Sequence, residues 1–252
     1  YFRYLMAARN QPYGDYFENP RTQIKQQLLN YKWQLEHIRD DRVINEAGVT
    51  VRPEFQTVRG GYFPITVERA DNELPRTLPL LAKPEDISSL QFPKPTDNLY
   101  GRKIEWYHVM KEALNNYKVK LNGKPLEIKV EVSGSGGPFP DAFALAGENI
   151  FIWMHENPGL VHKLMELMAE VFTAYEFYVR KLTGRTNAGL ELGCDAAEML
   201  SPEMFREFVV PCYNKCYASF PGERSLHMCG KIDHLAGIFA DELKITRLNG
   251  FG

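Results

Sequence analysis

The stretch "LEIKVEVSGSGGPFPDAF", residues 126–143, contains a strand pattern, a turn and the start of a helix, in that order. Apolar residues alternate with charged ones over 126–132, which is typical of a strand with one buried face. The glycines that follow favour a tight turn, and the prolines suit the first turn of a helix. The stretch therefore predicts the first half of a βαβ unit.

The same order of elements repeats from this stretch to the end of the sequence. Further patterns predict helices at 157–182, 201–220 and 231–242, and strands at 188–193, 224–229 and 243–250. This alternation predicts a parallel sheet covered by helices. The length of 252 residues and this alternation favour a (β/α)8 TIM barrel. An open nucleotide-binding sheet is not supported, because Phe139 replaces the third glycine of a dinucleotide-binding loop. About five strands are convincing, so a barrel that is incomplete at its C-terminus is one expectation.

The first half of the sequence predicts additions to this barrel rather than a second domain. Residues 1–48 are expected to form an N-terminal helical segment, with helical spacing clearest at 21–40. Residues 68–100 contain five prolines and predict an irregular excursion on the surface. We therefore assign residues 1–252 to one barrel domain with an N-terminal helical extension.

Composition excludes several classes of function. The net charge is −2, so a nucleic-acid partner or an anionic membrane surface is not indicated. No run of apolar residues is long enough to span a bilayer. Four cysteines in 252 residues do not form a disulfide scaffold, and free thiols favour a cytoplasmic location.

The segment "RSLHMCGKIDHL", residues 224–235, is the main candidate for chemistry. Residues two apart on a strand share a face about 6.6 Å apart, so His227 and Cys229 can both reach one zinc ion. Gly230 lets the chain turn at the carboxyl end of the strand, where barrel enzymes hold their active sites. From spacing alone, the more common explanation is ordinary packing of a strand-end histidine and a core cysteine.

A third metal ligand is expected from Cys194, from Glu191 or from a missing C-terminal segment. Cys194 follows the strand at 188–193 and is the first candidate, with Glu191 and Asp195 as further ligands or general acid–base groups. The alternatives are a small buried side chain for Cys194 and a turn residue for Asp195. The two remaining cysteines, at 212 and 216, are expected to pack in the core.

The Gly-rich loop after the strand at 126–132 is the second candidate. Gly136 and Gly137 would let a substrate approach the backbone closely. We assign these glycines, with Phe139 and the strand-end Asn249, to a substrate pocket, and the alternative is a plain turn between strand and helix.

Several longer segments together resemble uroporphyrinogen decarboxylase-like barrels. They are "VSGSGGPFPDAFALAGENIFIWMHENPGLVHKLMELM" at 132–168, "DAAEMLSPEMFREFVVPCYNKC" at 195–216 and "LHMCGKIDHLAGIFADELKITRLNGFG" at 226–252. The resemblance extends over roughly residues 32–252 and is strongest from residue 126 onwards. The arginine-rich substrate loop of the decarboxylases, of the type "M-R-Q-A-G-R", is not found in this sequence.

The resemblance is closer to the corrinoid-dependent methyltransferase branch. Members that move a methyl group between a corrinoid protein and a thiol carry "H-x-C-G" on this strand as zinc ligands, and His227 to Gly230 match that motif. Those members have a further cysteine near the last strand, which falls outside this sequence. The resemblance implies zinc, a corrinoid (cobalamin) protein as partner, and a small-molecule methyl donor or acceptor.

Two other functions remain open at this point. A metal-independent decarboxylase would place cationic groups such as Arg59, Arg69 or Arg102 around the barrel mouth. A non-catalytic binding barrel would leave His227 and Cys229 on different faces or cover them with bulky side chains.

Overall fold

The computed structural model describes residues 2–11, 13, 15–38, 48–55, 59–69, 73–132 and 136–250. The α-helices are α1 (Phe2–Ala8), α2 (Pro20–His37), α3 (Asn98–Ala113), α4 (Pro138–Ala146), α5 (Asn149–Glu156), α6 (Pro158–Thr183), α7 (Pro202–Met204), α8 (Val210–Ser219) and α9 (Ala236–Asp241). The strands are β1 (Val49–Val51), β2 (Thr66–Glu68), β3 (Arg76–Leu78), β4 (Val119–Leu121), β5 (Lys124–Leu126), β6 (Ile128–Val130), β7 (Leu190–Gly193), β8 (Arg224–His227) and β9 (Arg247–Asn249).

The chain divides into two compact units. The first comprises residues 1–58, 68–76 and 101–132, and the second comprises residues 59–67, 77–100 and 133–252. The assignment of residues 1–252 to a single domain stays a prediction.

The first unit contains a parallel pair, β1 with β6, and an antiparallel pair, β4 with β5. Helix α2 is tied to the loop after β1 by a buried glutamine. The Gln27 side-chain amide donates to the carbonyl of Arg52 at 2.7 Å and accepts from its N–H at 2.9 Å. Because both backbone groups of Arg52 are satisfied this way, the loop does not need a strand partner at that point.

The second unit is built on a parallel three-stranded sheet in the order β7-β8-β9. Leu192 pairs with Leu226, and Gly193 pairs with His227. His227 in turn pairs with Asn249. Side chains paired in a parallel sheet share a face, so Leu192 and Leu226 form a fully buried face, while His227 and Asn249 lie on the other.

Helix α6 supplies much of the core of this unit. Its apolar positions recur at helical spacing, and Val161, Leu164 and Ala169 have no exposed surface. Gly184 ends the helix with φ of +69°, the left-handed conformation that glycine adopts without strain.

Helix α8 follows a π-helical turn at Phe205–Val209. Pro211 lies at the start of α8 and lacks the N–H that a continuous α-helix would use. The widened turn accommodates this missing donor, so the helix predicted at 201–220 is interrupted rather than continuous.

The alternation of strands and helices from residue 126 is confirmed as an α/β fold, but closure of a barrel is not seen. Within the described ranges the parallel strands form one three-stranded sheet and one separate pair. The predicted strand at 126–132 is interrupted, because β5 ends at Leu126 and β6 begins at Ile128. Residues 39–47 of the predicted N-terminal helical segment lie outside the described residues.

The Pro-rich excursion contains β3 and a 3-10 helix at Pro84–Ser89. Among the described residues, none of the helices combines the length and the apolarity needed to cross a bilayer.

Candidate functional site

His227 and Cys229 bring a nitrogen and a sulfur together at the carboxyl end of β8. His227 is the last residue of the strand, and Cys229 lies two residues beyond it. The distance from His227 Nε2 to Cys229 Sγ is 3.3 Å. The thiol is exposed, so a ligand from solvent can reach it.

Asp195 adds a carboxylate from the end of β7. Its Oδ1 lies 3.7 Å from His227 Nε2 and accepts a hydrogen bond from the N–H of Cys229 at 3.1 Å. The N–H of Cys194 donates to the carbonyl of His227 at 2.8 Å, which ties the two strand ends together. The ligand atoms of Asp195, His227 and Cys229 all lie within 4.8 Å of one another.

These spacings fit a metal ion. Metal–ligand bonds of about 2.0–2.3 Å in a tetrahedral site place neighbouring ligand atoms about 3.4–3.6 Å apart. The observed separations from His227 Nε2, 3.3 Å to sulfur and 3.7 Å to oxygen, bracket this range. Imidazole, thiolate and carboxylate are all zinc ligands in proteins. The residues present therefore fit a zinc ion.

Asn249 fixes the orientation of the imidazole. Its Oδ1 lies 2.5 Å from His227 Nδ1, and because an amide oxygen only accepts, Nδ1 carries the proton. The lone pair of the neutral ring is then on Nε2, which faces Cys229 and Asp195. Gly250 has φ of +90°, and a Cβ at that position would lie 2.7 Å from His227 Cε1. A side chain at 250 would therefore push the ring away.

Two carboxylates lie near the Cys229 thiol and affect its pKa. Desolvation first, and then the carboxylates of Asp195 and Glu198, raise the pKa of Cys229 above its usual value. A bound cation would oppose this effect, since it favours the thiolate.

Glu198 and Arg59 complete the surroundings of the site. Glu198 Oε2 accepts from the N–H of Lys231 at 2.9 Å and occupies the space beside Gly230, whose φ is +99°. Arg59 Nη2 lies 3.9 Å from Asp195 Oδ2, with 39% of the arginine side chain exposed. Sequence reasoning gave no role to Glu198 and left Arg59 unplaced; the acidic "DAAE" loop after a strand was the available signal for the first.

Cys194 and Glu191 lie apart from this cluster. Cys194 is fully buried, its thiol lies beside the hydroxyl of Tyr213, and burial raises the pKa of this thiol to about 12. Glu191 pairs with Ser225, which lies two residues before His227 on β8, and its side chain is exposed. The structure thus brings Asp195, rather than the other two, to the predicted pair.

The loop glycines lie against the end of β7. The N–H of Gly193 donates to the carbonyl of Gly136. At Gly137, where φ is +151°, a Cβ would lie 2.4 Å from the carbonyl oxygen of Gly193, so only glycine fits. Phe139 is fully buried in α4 and packs in the core.

Comparison with known proteins places the chain in context. The family model described as uroporphyrinogen decarboxylase (URO-D) matches residues 61–252. No curated protein sequence matches the chain. Among solved structures, a methyltransferase from Methanosarcina mazei is similar, with a TM-score of 0.63 and 16% sequence identity. The match covers 98% of this chain and 67% of that protein, and at this identity it shows a shared fold.

Proposed function

Because the chain belongs to the uroporphyrinogen decarboxylase family, we propose that it is a zinc-dependent methyltransferase of that family. It moves a methyl group between a small-molecule donor or thiol acceptor and a corrinoid (cobalamin) cofactor carried by a partner protein. The structural neighbour is a methyltransferase, which agrees with this proposal.

The observation that carries the proposal is the placement of His227 and Cys229. Their Nε2 and Sγ atoms lie 3.3 Å apart at the carboxyl end of a parallel strand, and the thiol faces solvent. A zinc ion bound there supplies Lewis acidity to the oxygen or sulfur atom that gives or receives the methyl group. This geometry also weighs against the non-catalytic binding barrel, which expects the two side chains to be separated or covered.

The other residues of the site have supporting roles in the proposal. Asn249 holds the His227 ring so that Nε2 is available to the metal. Asp195 holds the backbone of Cys229 and so directs the thiol toward the imidazole. Gly136 and Gly137 let the Gly-rich loop pack closely against the end of β7, beside the cluster, where this loop would line the substrate pocket.

The proposed corrinoid partner follows from the resemblance, and the proposed cytoplasmic location follows from the thiols. All four cysteines are free, and Cys229 must remain reduced to bind metal. A reducing compartment such as the cytoplasm meets that need.

The first test is the zinc content of the protein. We expect one zinc per chain in the wild type and a loss in Cys229→Ala and in His227→Ala. Cys216→Ala and His155→Ala are matched controls, since Cys216 is buried in α8 and His155 is exposed on α5. Transfer of a methyl group from methylcobalamin to a small thiol, followed by cobalamin absorbance, should disappear in the same two variants. Zinc-free wild-type protein, prepared without chelator, contradicts the proposal.

A metal-independent decarboxylase remains the second candidate because of Arg59. An exposed guanidinium beside Asp195 is the kind of group that would bind a substrate carboxylate. This function predicts release of carbon dioxide that is insensitive to chelators and lost in Arg59→Ala. Loss of activity on chelation would instead favour the methyltransferase.

A further inference from the structure

We propose that Arg69 and Arg102 form a binding site for a doubly charged phosphoryl group, and that the carboxylate of Glu18 takes the place of this ligand in the structure. All three residues belong to the first compact unit, whereas the candidate metal cluster belongs to the second. The inference therefore goes beyond the proposed methyl transfer and does not depend on it.

The two arginines converge on a single carboxylate. Glu18 Oε1 contacts Arg69 Nη1, and Glu18 Oε2 lies 4.0 Å from Arg102 Nη2, so each oxygen faces a different guanidinium group. Among these three groups, one positive charge remains unbalanced. A phosphoryl group carries a charge of about −1.5 to −2 at pH 7 and three acceptor oxygens, so it balances two arginines more completely than one carboxylate does.

The two guanidinium groups are close enough to affect each other. Burial first, and then the charge of Arg102, lower the pKa of Arg69 below its usual value. Like charges held near one another repel, and an anion between them offsets that repulsion. A dianion at this place would therefore be attracted by both arginines at once.

Aromatic rings hold the guanidinium group of Arg102 in place. Trp106 lies one helical turn further along α3, and the centre of its ring is 5.2 Å from Arg102 Cζ. The ring of Phe55, which follows β1, is centred 6.0 Å from the same atom. Both rings are buried. Because these contacts restrict the arginine before an anion arrives, little conformational freedom is lost on binding.

Tyr16 fixes the loop that carries Glu18. The Tyr16 hydroxyl donates to Glu54 Oε2 at 2.6 Å and accepts from the side-chain amide of Gln27 at 3.2 Å. The Glu18 N–H donates to the carbonyl of Asp15 at 2.9 Å. From this fixed backbone the Glu18 side chain extends outward and is 56% exposed. Exposed ion pairs contribute little to stability, so rotation of this side chain can give way to an anion from solvent.

The structure thus separates the arginines that the sequence offered as anion-binding groups. Arg59 lies beside Asp195 in the second unit. Arg69 and Arg102 share one carboxylate in the first. Guanidinium groups match the oxygens of phosphate in geometry as well as in charge, which favours a phosphoryl ligand at the shared site.

The test is a calorimetric titration of the full chain with inorganic phosphate at low ionic strength. We expect the wild type to bind with a dissociation constant below about 1 mM. Arg69→Gln and Arg102→Gln should each raise this constant by about tenfold or more, because each removes a charge-assisted hydrogen bond. Glu18→Gln should lower it by about 3–10-fold, because the competing carboxylate is gone.

The neighbouring pair of Arg76 and Glu68 supplies matched controls. Arg76 donates to Glu68 Oε2 through Nε at 2.7 Å and through Nη2 at 2.6 Å, so one arginine meets one carboxylate. Arg76→Gln and Glu68→Gln should each change phosphate affinity by less than about twofold. Glu68 directly precedes Arg69, so its variant also controls for loss of one negative charge in this region.

Glycerol 3-phosphate distinguishes two sources of the phosphoryl group. Tighter binding than inorganic phosphate would indicate a phosphorylated small molecule, and equal or weaker binding would indicate the free ion. His227→Ala should bind phosphate as the wild type does, because the metal cluster is not involved.

Absence of phosphate binding by the wild type up to about 10 mM would overturn the proposal. Equal effects of Glu18→Gln and Glu68→Gln would also overturn it, because the gain would then reflect only the overall charge. Since Glu18→Gln is read as a gain of affinity, it remains informative if an arginine variant folds poorly. Failure here leaves the proposed methyl transfer standing, because zinc content tests that function separately.

Discussion

We expect replacement of Glu176 to destabilise the fold strongly. Only 6% of its side chain is exposed, and its Oε1 accepts from Arg180 Nε at 2.9 Å and also contacts Arg185. Arg180 in turn donates to the carbonyls of Asn187 and Gly189, at 2.6 and 2.7 Å, just before β7. This carboxylate therefore neutralises the arginine that links the end of α6 to the start of β7.

We predict that Glu176→Ala lowers the free energy of unfolding by about 3–5 kcal/mol, because it leaves a largely buried arginine without its counterion. For a chain of this size, about 2–4 °C per kcal/mol corresponds to a fall in Tm of about 6–20 °C. Glu170→Ala is the matched control on the same helix. The Glu170 side chain is 47% exposed and pairs with Lys215, so we expect a change of less than about 1 kcal/mol.

The assay is thermal and urea unfolding of metal-free protein followed by circular dichroism. Metal affinity of folded Glu176→Ala should equal that of the wild type, because Arg180 acts at the amino end of β7 and the cluster lies at its carboxyl end. A Tm within 2 °C of the Glu170→Ala control, or a selective loss of metal affinity, would refute this reasoning.

Three further predictions concern the candidate site. Asn249→Ala should weaken zinc binding by about 10–100-fold with little change in Tm. Competition with a chromophoric chelator measures the affinity, and an unchanged affinity would argue against a role of Asn249 in orienting His227. Gly250→Ala should also weaken zinc binding, because the added Cβ displaces the His227 ring, and chelator competition measures this effect. The same variant should lower the free energy of unfolding by about 1–2 kcal/mol, because residue 250 has φ of +90°, and an unfolding titration measures that loss. Iodoacetamide at pH 8 should alkylate only Cys229 in the native protein, because the other three thiols are buried, and bound zinc should slow this reaction. Mass spectrometry identifies the labelled residues, and early labelling of another cysteine would contradict the described burial.

The α/β fold could be predicted because it rests on local patterns. Each strand and helix after residue 126 has its own periodicity and its own turn residues, and their alternation specifies parallel pairing. Closure of a barrel depends instead on long-range pairing among strands of three or four residues. A count of apolar segments does not contain that information.

The site was only partly predicted, because its geometry also depends on contacts between the ends of two strands. Two-residue spacing predicted that His227 and Cys229 share a face, and their reactive atoms do converge. However, β8 ends at His227, so the hydrogen bond from Cys229 N–H to Asp195 directs the thiol rather than the pleat of a strand.

Cys194 and Asp195 show that a shift of one residue along the chain decides which side chain reaches the site. Neighbouring side chains near a strand end point in opposite directions, and the pattern predicted the end of β7 at residue 193 but not which face the next two side chains occupy. Asn249 was assigned to substrate binding, whereas its observed contact is with His227, 22 residues away. That contact needs the β8–β9 register, which periodicity alone does not supply.

The spread of the site along the chain has a consequence for the order of assembly. With the metal site proposed above, His227 and Cys229 offer a nascent chain two ligands, and the Asp195 carboxylate, which accepts from the Cys229 N–H, reaches them only when β7 pairs with β8. Metal capture should therefore come late in folding, unlike in small zinc-binding domains that collapse around their ion. A retained metal ion would then report that the two strands have docked in register, so that metal loading acts as a check on the maturity of the fold.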